Sequence, residues 1–258
     1  MLDDLANQLW QARQQGSLVD IAGLDLPANE EQAYALARTI TSCADVTPIG
    51  YKIGATTDAA IAALGLTGSF HGPLFEQFCH ASGEAVRCFP KHKVIVESEI
   101  AVKLARDLPH RDAQYSAEEV SDAAEWICPA MELVATRFAI ELKGNGILLI
   151  ADSGVNMDFV HGDKATQLAS TDLTQHAVTL RVNDEALGSG HSGMSIWGNP
   201  LLAVGWLANH DTLEGVGLKA GEFITTGTCT GMVPVKIGDR VVADFGSLGN
   251  VTAYIVAA

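Results

Sequence analysis

Two glutamates stand two positions apart inside the apolar run Val94-Ile95-Val96-Glu97-Ser98-Glu99-Ile100-Ala101-Val102, and this run constrains the fold more than any other stretch of the chain. β-branched residues at that density favour a strand, and side chains on a strand alternate between its two faces. Glu97 and Glu99 therefore point one way, and Val96, Ser98, Ile100 and Val102 point the other. Two ionised carboxylates side by side on a mostly apolar strand repel each other unless a cation lies between them or one takes up a proton. A hard divalent cation such as Mg²⁺ resolves the conflict, because it takes oxygen ligands and keeps positions open for water or substrate. The same spacing also occurs on strands with one wet face, so the motif alone leaves a solvated strand and a metal site both open. The apolar flanks argue against an edge strand.

A chain of 258 residues with 48% hydrophobic content can bury a large core. Its 31 acidic residues against 16 basic give a net charge of −15, which disfavours nucleic acid or an anionic membrane surface as partner. Cys43, Cys79, Cys88, Cys128 and Cys229 are odd in number and form no Cys-x-x-Cys, as expected of free thiols in a reducing cytosol. The start Met1-Leu2-Asp3-Asp4 is acidic where a signal peptide is basic, and no apolar run approaches the roughly 20 residues of a membrane span. A soluble, cytoplasmic protein with no membrane partner is expected.

Leu2, Leu5, Leu9, Trp10 and Arg13 follow helical spacing, as do Ala33, Leu36, Ala37 and Ile40. Residues 1–49 read as a small helical cap, bounded by Thr47-Pro48-Ile49-Gly50, and residues 50–258 as a β-rich domain. Ser116 and Glu119 form a capping box that opens a helix expected to stop near Cys128, before Pro129, which places Glu132 in an extended segment. Asn199-Pro200 opens a second helix expected to end near Gly215. Segments 177–182, 240–245 and 251–256 are strand-like, and few helices interrupt them. The pattern argues for an α+β fold and against a doubly wound sheet.

Further groups could carry chemistry. Gly50-Tyr51-Lys52-Ile53-Gly54 sets one lysine between two glycines, which suits either an anion-binding lysine or a solvated one beside a turn. Glu132 is a third carboxylate in apolar company, and three would suit an octahedral Mg²⁺ or Mn²⁺ site; Asp152 is a candidate for its support. His71, Arg137 and Lys103 are weaker candidates, Lys103 as a neutraliser of the acid cluster. Thr226-Gly227, within Thr225-Thr226-Gly227-Thr228-Cys229-Thr230-Gly231, either offers hydroxyl and N–H donors to a carboxylate or is simply a tight turn. It lacks the Gly-Lys-Ser/Thr end of a P-loop.

Together, Gly50-Tyr51-Lys52-Ile53-Gly54, Glu97-Ser98-Glu99-Ile100, Pro129-Ala130-Met131-Glu132, Ala151-Asp152, Gly198-Asn199-Pro200-Leu201 and Thr226-Gly227 leading to Pro234-Val235-Lys236-Ile237-Gly238-Asp239 resemble the fumarylacetoacetate hydrolase superfamily. The likeness is greatest to its branch of 2-oxo-4-pentenoate hydratases and 4-oxalocrotonate decarboxylases. It implies a mixed β-sheet, β-roll core under the helical cap, with Glu97, Glu99 and Glu132 as ligands of Mg²⁺ or Mn²⁺ and Lys52 in the active site. It further implies a 2-oxo or 2-hydroxydienoic acid substrate, a metal-dependent hydro-lyase activity, a homo-oligomer and association with a decarboxylase or hydratase partner. Decarboxylation of a 2-oxo diacid, or a non-catalytic partner subunit, are the alternatives. Arg137, Asp152, Thr226 and Gly227 then become candidates for substrate binding. Many hydratases carry Pro-Asp-Phe-Gly where this chain has Ser69-Phe70-His71-Gly72, so one carboxylate is missing, and His71 is the candidate to replace it from one position along.

Overall fold

The structure is a computed structural model that describes residues 2–163, 172–213 and 215–258. Helices α1 (Leu2–Gln15) and α2 (Glu30–Ala44) come first. Asn29 caps α2 by accepting a hydrogen bond from the Gln32 N–H, and Asp45 ends it in the left-handed region. Thirteen strands follow among the described residues: β1 (Pro48–Gly54), β2 (Phe70–Phe75), β3 (Cys79–Ala81), β4 (Ala85–Cys88), β5 (Ile95–Leu104), β6 (Ala124–Val134), β7 (Asn156–His161), β8 (Ala177–Val182), β9 (Glu185–His191), β10 (Phe223–Thr228), β11 (Val233–Pro234), β12 (Arg240–Asp244) and β13 (Asn250–Ala257). Between them lie α3 (Asp58–Leu64), α4 (Ala117–Ala123), α5 (Gly146–Ala151) and α6 (Pro200–Ala208).

The strands form an eight-stranded mixed sheet in the order β2-β1-β10-β5-β6-β7-β3, with β11 also paired to β5, and a five-stranded sheet in the order β4-β13-β12-β8-β9. One continuous core joins them: Val96, Ile100 and Val102 of β5 and Leu133 of β6 share a buried cluster with Leu180, Val241, Val251 and Ala253 of the smaller sheet. This is the α+β, rolled-sheet architecture expected. The alternation also holds, because the apolar face of β5 enters this core and leaves Glu97 and Glu99 on the other face.

Two helix boundaries differ from expectation. The capping box at Ser116 and Glu119 is present, but α4 stops at Ala123 and residues from Ala124 already belong to β6. The mixed signal comes from Trp126, Ile127 and Cys128, whose burial in the sheet outweighs helix propensity. Pro129 stands inside β6 without breaking it: it lies opposite Ile100 of β5, and its carbonyl accepts from Gly162, just past the end of β7. Its ring nitrogen faces the same side as that carbonyl, where no strand requires a donor. Likewise α6 ends at Ala208, not near Gly215, and is followed by a short 3₁₀ turn over Asp211–Leu213.

The first two helices share their core with the rest. Leu5, Leu9, Trp10, Leu36 and Ile40 cluster with Phe70, Phe75, Phe138 and Ile150. Arg13 of α1 is buried, stacks over Phe78 with its guanidinium 3.8 Å from the ring centroid, and donates to the carbonyls of Asn156 (2.7 Å) and Met157 at the start of β7. Arg13→Ala removes a charged donor from each carbonyl, with Arg137 Nη1 left on that of Asn156 at 2.9 Å, and is expected to lower urea-denaturation stability by about 2–4 kcal/mol, on the scale of lost charged hydrogen bonds. Arg13→Lys, which cannot fork, should recover less than half of the loss.

Candidate active site

The register between β5 and β6 builds the site. Glu97 lies directly opposite Glu132, and Glu99 lies opposite Ala130, whose small side chain leaves room beside it. Residues directly opposite in an antiparallel pair share a face, so three carboxylates from segments far apart in sequence meet on one surface. Carboxylate oxygens of Glu97, Glu99 and Glu132 all lie within 4.8 Å of one another. Glu99 and Glu132 are fully buried.

Lys52 on β1 completes the cluster. It lies opposite Thr225 of β10, which lies opposite Ala101 of β5, so its side chain shares the glutamates' face. Its Nζ stands 3.1 Å from Glu132 Oε2, and both side chains are buried. The other Glu132 oxygen accepts from Asn156 Nδ2 at 3.0 Å. Between β10 and β5 the register slips by one residue, from Thr225 opposite Ala101 to Thr228 opposite Glu99. The extra residue makes a bulge that turns the Gly227 N–H onto Glu99 Oε2 at 2.8 Å. Gly227 has φ of +97, and a Cβ there would lie 2.4 Å from the Thr56 side chain, so no other residue fits.

The charges are unbalanced. Burial pushes the Glu97 carboxyl up to about 7 against the pull of Lys52, and burial with the fields of Glu132 and Glu97 raises Glu99 well above the carboxylate range. Burial acts to lower the Lys52 pKa, but the charges of Glu132, Glu97 and Glu99 outweigh it and hold the ammonium above its ordinary value. Glu99 Oε1 is buried with no partner at all. Three converging carboxylates, one lysine and an orphaned oxygen are what a divalent cation would satisfy, and the all-oxygen donor set suits a hard ion.

The remaining candidates fall elsewhere. On β2, His71 pairs with Ile53 and Gly72 with Lys52, so His71 is on the opposite face of the sheet from Lys52. It is Phe70 that shares the Lys52 face, its ring centroid 5.3 Å from Nζ. A displacement of one residue along a strand flips the side chain, so His71 does not stand in for the missing aspartate. His71 packs between Tyr34 (4.7 Å, stacked) and Tyr51 beside a cavity of ≈ 410 Å³, its Nε2 2.5 Å from Thr212 Oγ1. Arg137 and Asp152 are buried against each other: Asp152 accepts from Arg137 Nε at 2.7 Å, the Arg137 N–H at 2.6 Å and Thr136 Oγ1 at 2.9 Å. Every guanidinium nitrogen of Arg137 has a protein partner, with Ala135, Asn156 and Asp152 carbonyls taking the rest. The pair is an internal clamp and is not free to hold a substrate. Thr226 gives its hydroxyl to the Ile100 carbonyl at 2.9 Å. Lys103 pairs with Glu125 at 3.5 Å over Trp126 and Phe223, and does not neutralise the acid cluster.

Asn156 belongs to none of the sequence motifs that point to the site. Its one signal is an amide inside the apolar stretch Val155-Asn156-Met157-Asp158-Phe159.

The family description "Fumarylacetoacetate (FAA) hydrolase C-terminal" matches residues 74–256. The chain belongs to the fumarylacetoacetate hydrolase family. Within the family, it is 34% identical over 205 residues to 2-keto-4-pentenoate hydratase 1 of Dechloromonas aromatica (strain RCB), covering 80% of this chain and 76% of that one. It is 30% identical over 255 residues to 2-keto-4-pentenoate hydratase of Paraburkholderia xenovorans (strain LB400), covering 96% and 93%. Among solved structures, 4-oxalocrotonate decarboxylase from Pseudomonas putida G7, complexed with magnesium and adipate, superposes with a TM-score of 0.89 at 27% identity, over 99% of this chain and 97% of that one. No described helix of this family member is long and apolar enough to cross a membrane.

The buried His71 gives a pH signature away from the carboxylates. Burial, then the fields of His210 and Arg38, lower its pKa from 6.5 to about 3. Between those values the unfolded chain binds the extra proton and the folded one does not, so this contribution is intact above pH 6.5 and is lost as pH falls toward 3. The stability gap between the native protein and His71→Phe, read by urea denaturation, should therefore shift against the native protein by about 2 kcal/mol from pH 6.5 to 5.

Proposed function

We propose that the chain is a divalent-metal-dependent hydro-lyase that adds water to a 2-hydroxyalka-2,4-dienoate of the 2-keto-4-pentenoate type, giving a 4-hydroxy-2-oxo acid. The observation that carries this reading is the meeting of Glu97, Glu99 and Glu132 with the buried Lys52 on one sheet face. The hydratase relatives supply the reaction class. Glu97, Glu99 and Glu132 would hold Mg²⁺ or Mn²⁺, with the Gly227 N–H and the Asn156 amide orienting two of them. When bound, the cation would supply Lewis acidity to the 2-oxo group of the acid.

The chain's own groups do the rest. In a dienoate the enol proton leaves oxygen and a proton arrives at C5, and water then adds with oxygen at C4 and a proton at C3. Lys52 Nζ, an ammonium in a buried site, attracts the acid's negative charge and can hold or pass a proton beside Glu132. Phe70 gives the neighbouring wall an apolar surface that suits the conjugated carbon chain. Residues 1–49 act in this reading as a cap on the catalytic residues 50–258. The protein is cytoplasmic, assembles as a homo-oligomer, and can associate with a decarboxylase or hydratase partner.

A second reading, decarboxylation of a 4-oxalocrotonate-type diacid, is favoured by Phe70 standing beside Lys52 where many hydratases carry an aspartate, and by the likeness to the decarboxylase structure. One assay separates the two. Metal-stripped protein mixed with freshly generated 2-hydroxypenta-2,4-dienoate should consume its conjugated ultraviolet absorbance only after Mg²⁺ or Mn²⁺ is restored. Glu97→Gln should lose at least about 100-fold in kcat/KM, the upper range for damage at a metal site. Release of CO₂ from a 2-oxo diacid with no dienoate decay would select the decarboxylase, and inertness toward both would leave a partner subunit.

A further inference from the structure

Three consecutive residues between α5 and β7 adopt left-handed backbone: Ser153 (φ 54), Gly154 (φ 66) and Val155 (φ 56). Glycine accepts that conformation, but a serine and above all a β-branched valine do not adopt it without surrounding support. The support is visible. The Asp152 carbonyl accepts from the Val155 N–H at 2.9 Å and closes the turn. The Asp152 carboxylate is held by Thr136 Oγ1, the Arg137 N–H and Arg137 Nε, while Arg137 also donates to the Asp152 and Asn156 carbonyls on either side of the turn.

The turn meets the site at two points. A Cβ on Gly154 would lie 3.1 Å from Lys52 Cε and 2.8 Å from Gly72 Cα, so the turn already lies flush behind the lysine's shaft. Asn156, the first residue after the turn, donates to Glu132 Oε1, while Lys52 reaches Glu132 Oε2. Both members of the Lys52–Glu132 pair are thus touched by one short, left-handed segment.

We propose that the turn Ser153–Val155, held by the Arg137–Asp152 clamp, is the positioning element that sets the Lys52 ammonium and the Glu132 carboxylate against each other. Gly154 and Asn156 are positioning residues: Gly154 backs Lys52, and Asn156 aims Glu132. The inference rests on Lys52 and Glu132 being working groups of the site, and its test includes a measurement that does not depend on that reading.

Gly154→Ala adds a methyl 3.1 Å from Lys52 Cε and 2.8 Å from the Gly72 backbone on the strand beside it. A crystal structure of the variant should show Lys52 Nζ beyond about 3.5 Å from Glu132, outside hydrogen-bond reach. A pair unchanged from the native separation, with the turn in place, overturns the proposal whatever the protein binds. In solution, Mn²⁺ affinity is read by electron paramagnetic resonance, and binding of oxalate, a dicarboxylate able to chelate the ion, by calorimetry on the loaded protein. Gly154→Ala should leave the Mn²⁺ Kd within about threefold and weaken oxalate roughly tenfold, the scale of one displaced charged hydrogen bond. In a Lys52→Met background the same substitution should add nothing; losses that multiply would mean that the turn acts independently of Lys52, against the proposal. Asn156→Ala leaves the turn's own backbone unaltered and decides the matter if Gly154→Ala does not fold. It should weaken Mn²⁺ binding about 10–100-fold, and an unchanged Kd overturns the Glu132 half. If the native protein binds neither Mn²⁺ nor oxalate, the metal reading fails while the crystallographic distance still decides this one.

Discussion

Repulsion among Glu97, Glu99 and Glu132 is the constraint around which the rest of the structure is arranged. Carboxylate oxygens brought within 4.8 Å in a buried site repel strongly, because little solvent is present to screen them. Lys52 compensates only part of that charge. A fold that keeps such a cluster must hold it rigidly, since every degree of freedom in the cluster would be used to separate like charges. The long pairing of β5 with β6 supplies that rigidity, with nine residue pairs from Ile95–Val134 to Lys103–Trp126 in unbroken register and the opposite face of β5 locked into the apolar core. The unmet charge is then the driving force for binding a cation, and binding in turn stabilises the folded state.

The fine placement comes from departures from regular structure. A flat, unbroken ladder between β10 and β5 would turn no N–H toward Glu99; the bulge at Gly227 does so. A regular connection between α5 and β7 would not bring a backbone segment against Lys52, and the left-handed turn does. Regular sheet brings the charges together, and its irregular points aim them.

Much of this was legible in the sequence, for reasons that can be stated. The alternation in Val94 to Val102 told which face the glutamates share, because strand period is two and a core-facing strand cannot hide its pattern. The capping residues at Asn199 and Ser116 marked helix starts correctly, since a cap is a local hydrogen bond. The ends were misjudged where tertiary burial decided: Trp126 and Cys128 went to the sheet, and Pro129 proved harmless because its nitrogen side faces no partner strand. His71, Arg137, Asp152 and Thr226 were each singled out by chemical type, and each turned out to have partners of its own. A sequence carries residue type and local period, but not which donors are already spent. Asn156 is the converse, a residue with little local signal whose amide matters only because β7 starts beside Glu132.

The reach of Arg13 from α1 to the carbonyls of Asn156 and Met157 bears on how such a chain could change over time. The guanidinium grips the backbone at the residue whose amide orients Glu132, and the helices' apolar side chains interlock with those of β2 and α5. The opening segment is therefore not an interchangeable module. Recombination that exchanged residues 1–49 for a foreign pair of helices would have to deliver an arginine at the same depth, or take a charged donor from both carbonyls and leave Arg137 alone on that of Asn156. Lineages that kept the site are expected to have inherited both parts together, and diversity in the opening segment should be found on its solvent face, away from the residues that Arg13 ties down.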